Sequence, residues 1–206
     1  MSSKRAVLAV AAAAAAAALA AGCSGSGGAP PPASTGGGSA AVAPTPGPAE
    51  SNPAGDIPDN QAYVAYTPDG GGFTVKTPEG WSRSTTGQAV VFYDKLNRIE
   101  ITAGTAPSAP TAESVAAQVV PALEKQVPKF TMGKVSTVSR AAGTAVLVTY
   151  QGDSAPDAVT GKVVRDAFEQ YTFYQGGRQV VLTLSGPVGA DNADPWRTVT
   201  DSFRWT

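Results

Sequence analysis

Between Tyr63 and Trp205 the chain switches between a two-residue and a four-residue apolar rhythm. Phe73-Thr74-Val75-Lys76 alternates apolar and polar residues, the pattern of a strand with one buried face. Thr77-Pro78-Glu79-Gly80 predicts a turn with Pro in its second position. Trp81 opens the next short strand, with its ring expected in the core. Residues 89–94 (AVVFYD) are apolar on both faces, as in a covered central strand. Leu96-Asn97-Arg98 predicts a tight link to residues 98–102 (RIEIT), where Ile99 and Ile101 face inward.

The rhythm then lengthens. Over residues 111–127, Val115, Val119, Leu123 and Val127 recur every fourth position and form one stripe of a helix. Thr111 is placed to cap it, and Glu113 sits in the first turn, where the helix dipole favours negative charge. Pro121 interrupts the run. An interior proline costs about 3 kcal/mol, so the segment should kink, or split into two helices abutting at Val120. Val127-Pro128 ends it.

Strand signals return over residues 131–139 and, rich in β-branched residues, over 144–150 (TAVLVTY). Residues 151–161 read as a polar loop. Residues 163–175 and 178–185 flank Gly176-Gly177, a two-residue hairpin turn. A final helix is expected with Asp194 as cap, Pro195 in the first position, and Trp196, Val199 and Phe203 as its apolar stripe. The order strands, helix, strands, helix, with hairpin-length links, predicts an α+β fold: an antiparallel β-sheet with helices packed on it.

Composition divides the chain. All fifteen aromatic residues lie from Tyr63 onward, so the folded domain is expected over residues 59–206. That is about 148 residues, an ordinary single-domain size. The chain has no histidine and one cysteine. Triads and dyads that need imidazole, thiolate zinc clusters and internal disulfides are therefore excluded. A net charge of −1 argues against a nucleic-acid partner.

The first 22 residues read as a secretion signal: Lys4 and Arg5, then the apolar, nearly all-alanine run of residues 6–21, too short and too weakly apolar for a membrane span. The run ends Leu19-Ala20-Ala21-Gly22-Cys23, which resembles the lipobox of bacterial lipoproteins. The resemblance implies a diacylglyceryl group on the Cys23 sulfur and cleavage before it. A thiolate is the strongest side-chain nucleophile, and two acyl chains hold a protein stably at a membrane. Residues 24–58 hold eight Gly and eight Pro, and predict a disordered tether following the lipidated Cys23.

Candidate catalytic groups are few. Asp153 and Asp157 form a D-x-x-x-D pair read as solvated loop carboxylates, too few oxygens for a calcium loop. Asp166 and Glu169 are three apart in a strand and point to opposite faces. Asp94 and Glu100 are placed to meet across a hairpin, where like charges side by side mark an exposed face more often than a site. Neither G-x-S-x-G nor S-x-x-K occurs. Tyr171, Phe173 and Tyr174 give one strand aromatics on both faces, one in the core and the other under a helix or open to a partner.

Gly72-Phe73-Thr74-Val75-Lys76-Thr77-Pro78-Glu79-Gly80-Trp81 is similar to the "F-x-V-x-x-P-x-G-W" opening of the PsbP/Mog1-like superfamily, and Thr200-Asp201-Ser202-Phe203-Arg204 to its closing "S-F". With the lipobox, the chain resembles actinobacterial lipoproteins of that superfamily, including the Lpq-type lipoproteins of mycobacteria. The resemblance implies a non-catalytic interaction domain at the extracytoplasmic face of the membrane, with a protein partner in the envelope and no cofactor, metal or shared catalytic residues. The photosystem members bind a membrane complex and the Mog1 member a small GTPase. Two other readings compete with it. A carrier of an envelope lipid or other small apolar ligand needs a closed apolar cavity between sheet and helix of some hundreds of Å³. An enzyme, the least supported reading, needs acidic groups gathered in a cleft.

Overall fold

The computed structural model describes residues 54–156 and 160–206. These lie within one unit, Pro48–Thr206. Strands β1 (Tyr63–Tyr66), β2 (Phe73–Pro78), β3 (Ser82–Thr86), β4 (Ala89–Asp94) and β5 (Asn97–Thr105) come first. Helices α1 (Ala112–Gln118) and α2 (Val120–Gln126) follow. Then come β6 (Thr131–Arg140), β7 (Gly143–Asp153), β8 (Arg165–Gln175), β9 (Arg178–Pro187), α3 (Ala193–Ser202) and β10 (Arg204–Trp205).

Two antiparallel sheets result: a seven-stranded one in the order β3-β4-β5-β9-β8-β7-β6 and a three-stranded one in the order β1-β2-β10. The large sheet consists of two meanders joined where β5 pairs with β9. The connection from β5 to β6 carries α1 and α2 across one face. The α+β architecture expected from the element order is the one observed.

Each face of the large sheet has its own core, and the two-residue pleat decides which side chain joins which. On one face Ile99, Ile101, Tyr171, Phe173, Leu182 and Leu184 pack with Phe73 and Val75 of the small sheet and with Trp196, Val199 and Phe203 of the α3 region. Phe203 stacks on Phe173 with ring centroids 4.2 Å apart. On the opposite face Val146, Val148, Tyr150 and Phe168 pack under the stripe Val115, Val119, Leu123 and Val127. Trp81 is half-buried against the first core.

Local signals acted as the sequence reading expects. Thr111 and Ser114 form a capping box, each side chain bonded to the other's backbone N–H. Pro121 splits the helix, and Val119 is at once the last cap of α1 and the first of α2. Gly176 and Gly177 turn the β8–β9 hairpin with φ of +55° and +84°, the left-handed pair that a two-residue hairpin requires.

Several boundaries moved. Thr77 and Pro78 continue β2 rather than starting a turn, because β1 pairs with both. Gln151, Gly152 and Asp153 extend β7 into the expected loop, since β8 offers partners as far as Arg165. Asn97 is the buried first residue of β5, not part of a link. Asn192, not Asp194, stands at the start of α3, and its side chain makes no cap bond because it is engaged elsewhere. The folded part also begins before Asp59: Ile57 is 5% exposed and belongs to the first core.

Candidate functional site

Leu19, Ala20, Ala21, Gly22 and Cys23 lie outside the described residues, as does Asp157. Among the described residues there is no cluster of three or more potential metal ligands, and no helix is long and apolar enough to cross a membrane.

The carboxylates do not converge. Lys95, in the left-handed region at φ +50°, makes a two-residue turn that pairs Asp94 with Asn97 and Glu100 with Val91. Asn97 and Glu100 are three apart in β5, an odd offset, so Asp94 and Glu100 lie on opposite faces and do not meet. Asp153 is not a solvated loop residue. Lys129 Nζ lies 2.7 Å from it and Arg165 Nη1 lies 3.5 Å from it. The bond from Lys129, with Arg165 assisting, holds its carboxyl below the usual range.

Asp166 and Glu169 do occupy opposite faces of β8. Asp166 is 7% exposed and its Oδ1 has no partner. Burial, and then the charge of Asp153, pushes its carboxyl up to about 6. Glu169 instead accepts the Tyr171 hydroxyl proton at 2.7 Å. Arg140 Nη2 donates to that hydroxyl at 2.8 Å, its guanidinium lies 4.9 Å from the ring centre, and its Nε donates to Thr200 Oγ1. Burial, with Glu169 beside it, raises the Tyr171 phenol to about 12. A phenol so placed holds its proton, and the set ties β6, β8 and α3 together.

Clefts indent the large sheet among the described residues. One, of about 290 Å³, lies beside Trp196 and is lined by Thr149, Gln151, Ala167 and Glu169. The other, of about 330 Å³, lies between α1 and β8–β9 and is lined by Pro107, Val115, Gln170, Thr172 and Val181. Gln170 Oε1 is buried there without a partner. Threonine and glutamine in both walls depart from the closed apolar cavity that a lipid carrier requires. On the face of β8 opposite Tyr171 and Phe173, Phe168 packs under the helices, while Tyr174 is half-buried outside that cluster.

The exposed apolar surface is more orderly. Among the described residues, six large apolar side chains are exposed: Val64, Tyr93, Leu96, Met132, Val163 and Val188. Five of them gather at one end of the large sheet. Tyr93 pairs with Arg98, Arg98 with Ser185, Ser185 with Phe168, Phe168 with Tyr150 and Tyr150 with Met132, so Tyr93 and Met132 sit on one rung. Leu96, Val163 and Val188 lie beyond that rung, in the β4–β5, β7–β8 and β9–α3 connections. The chain enters the domain at the same end. Asn97 Nδ2 and Asn192 Nδ2 both donate to the Gly55 carbonyl, at 2.8 and 3.0 Å. No periodicity in the sequence signals this gathering, because the five residues come from four separate stretches of chain.

A seven-stranded antiparallel sheet with helices on one face and a helix plus a small sheet on the other defines the domain as an α+β sandwich. No family model and no curated protein matches the chain. Solved structures match it, and the fold is the PsbP/Mog1-like one. Cyanobacterial PsbP (CyanoP) from Synechocystis sp. PCC 6803 superposes with a TM-score of 0.51 at 16% identity, covering 71% of this chain and 94% of that one. For the Saccharomyces cerevisiae Ran-binding protein Mog1p the TM-score is 0.49 at 12% identity, over 70% and 95% of the two chains. LpqN of Mycobacterium tuberculosis, described as involved in cell envelope biogenesis, gives 0.41 at 15%, over 72% and 92%. A Bacteroides thetaiotaomicron structure is matched over 69% of this chain and 48% of its own, so the chain spans about half the length of that protein.

Proposed function

We propose that the chain is a lipoprotein held at the extracytoplasmic face of the cell membrane by acyl chains on Cys23, and that its domain works there as a non-catalytic interaction module for an envelope or membrane complex. Signal peptide 1–22 is removed, and the glycine- and proline-rich stretch after Cys23 is the tether. The observation that carries this reading is the gathering of Tyr93, Leu96, Met132, Val163 and Val188 at the end where the chain enters the domain. Apolar side chains left exposed by several segments at one end of the sheet offer a surface for a partner to cover. The tether leaves the domain at this same end. The sequence Leu19-Ala20-Ala21-Gly22-Cys23 supports the anchor. The engagement of Asp153, Glu169 and Tyr171 in structural bonds supports a role without catalysis.

Cys23→Ala tests the anchor in cells. The native chain should enter the membrane fraction with a diacylglyceryl mass on Cys23, and the variant should be released or stay uncut. Normal cleavage with unchanged membrane retention contradicts lipidation. Crosslinking in intact cells with mass spectrometry tests the module. Reproducible capture of one envelope protein supports it, while capture of a lone lipid species shifts the reading to a carrier.

A further inference from the structure

We propose that the sheet end bearing Tyr93, Leu96, Val163 and Val188 docks on the lipid bilayer itself, so that the domain stands on the membrane with the Gly176-Gly177 hairpin pointing away. This deepens the tethered reading above, and rests on it for how the domain reaches the membrane.

Leu96, Val163 and Val188 project from three different loops at one end, each at least 36% exposed. A tip that enters the acyl boundary needs a cation beside it for the headgroups, on a stem long enough to reach back to them. Lys95 precedes Leu96 and Lys162 precedes Val163. The Lys95 side chain is 82% exposed, with Asp94 at 4.0 Å. Of the acidic groups at this end, Asp153 is held by Lys129 and Arg165 and Asp94 lies 4.0 Å from Lys95, while Asp56, Asp166 and Asp191 lie at this end as well. Charges here are close to balance, so the apolar tips supply the attraction and the lysines permit it.

The point where the chain enters gives the occupant. Everything before residue 54, including Cys23, connects to the domain at this end, where Gly55 is clamped between Asn97, Asn192 and Pro187. The clamp fixes the point at which the tether leaves the domain, at the docking end. At the opposite end, the turns at Gly87, at 140–143 and at Gly176-Gly177 carry no exposed large apolar side chain among the described residues. A lipid anchor combined with a second, weak membrane contact is the arrangement that holds a protein stably and in one orientation.

Cys23 is the lone cysteine, so in the full chain with Cys23→Ser a single new cysteine can carry an environment-sensitive nitrobenzoxadiazole label. Leu96→Cys, Val188→Cys and Gln175→Cys place it at the docking end twice and at the far hairpin once. The labelled chains are mixed with vesicles of phosphatidylethanolamine and phosphatidylglycerol carrying nitroxide lipids. Docking blue-shifts the emission at 96 and 188 and quenches it there, leaves 175 unchanged, and the shift at 188 is lost when Leu96→Asp is added. No response at 96 and 188, or an equal response at 175, overturns the proposal. Mass spectrometry of native Cys23 reports acylation separately. An unacylated cysteine with a positive vesicle response sinks the anchor alone, and an acylated one without a response sinks the docking alone.

Discussion

Asn192 donates from Nδ2 to Oδ1 of Asn97 at 3.0 Å, across 95 positions of sequence, and both side chains are buried. Asn97 and Asn192 also both donate to the Gly55 carbonyl, while Asn192 Oδ1 accepts from the Ile57 N–H at 2.9 Å. Two amides thus satisfy the incoming backbone, the start of β5 and each other. Gly186 lies against this pair, and a Cβ there would collide with Asn97 Oδ1 and Asn192 Nδ2. Asn192→Ala removes three bonds and strands the Ile57 N–H and the Asn97 carbonyl oxygen. It should destabilise the domain by about 2–4 kcal/mol in urea unfolding. It should also open residues 54–57 to proteolysis, and an unchanged midpoint would rule out the clamp.

Asp166 makes the acid dependence of stability unusual. Its carboxyl titrates at about 6 in the fold against an ordinary 3.8. The folded chain therefore holds this proton more tightly than the unfolded chain does. That contribution is present below the unfolded value and is lost as pH rises from about 4 through about 6. Asp153 behaves in the opposite sense: its lowered value gives stability above the ordinary carboxylate range that is lost as pH falls through it. Asp166→Asn should therefore stabilise the domain at pH 7 by at most about 3 kcal/mol, with little effect at pH 4. Thermal melts of both proteins across pH 4–7 measure it, and parallel curves would disprove it.

Arg140 should resist conservative replacement. It stacks on Tyr171 while directing two nitrogens at Tyr171 and Thr200, and Asp201 lies 3.6 Å from Nε. An ammonium cannot make the planar fork. Arg140→Lys should lose nearly as much as Arg140→Met, about 1.5–3 kcal/mol by denaturant unfolding. Full retention of stability by lysine would show that charge alone matters there.

Gly152 sits where α2 ends against β7. A Cβ added there would collide with Val127 Cγ1 and press on the Pro128 carbonyl. Gly152→Ala should displace the helix end and cost about 1–3 kcal/mol, the usual range for overpacking. Faster amide exchange over residues 120–128, with the β5–β9 amides unaffected, is the expected signature. No change in exchange would mean that the contact yields freely.

Much of the local structure was legible because it depends on neighbours in sequence. The period of two marked the strands, the period of four marked the stripe through Val115 and Leu123, Thr111 capped its helix, Pro121 broke it, and Gly176-Gly177 turned the hairpin. The candidate site was far less legible. Asp94 and Glu100 were misplaced because register depends on a turn residue, Lys95, taking a left-handed conformation. Asp153 was misread because its cations, Lys129 in the α2–β6 connection and Arg165 at the start of β8, come from other segments. Asn192 was missed because a buried asparagine carries no periodic signal.

By itself the sequence determined which segments become strands and helices, the fold class, and, by composition, where aromatic core begins. Those follow from backbone geometry and side-chain pattern within a few residues. Tertiary structure alone decided that β5 meets β9, that Ile57 joins the core, and that five apolar side chains from separate segments share one end. Each of these depends on residues far apart in the chain, placed by how the strands pair and how two faces of one sheet are covered and not by any local preference.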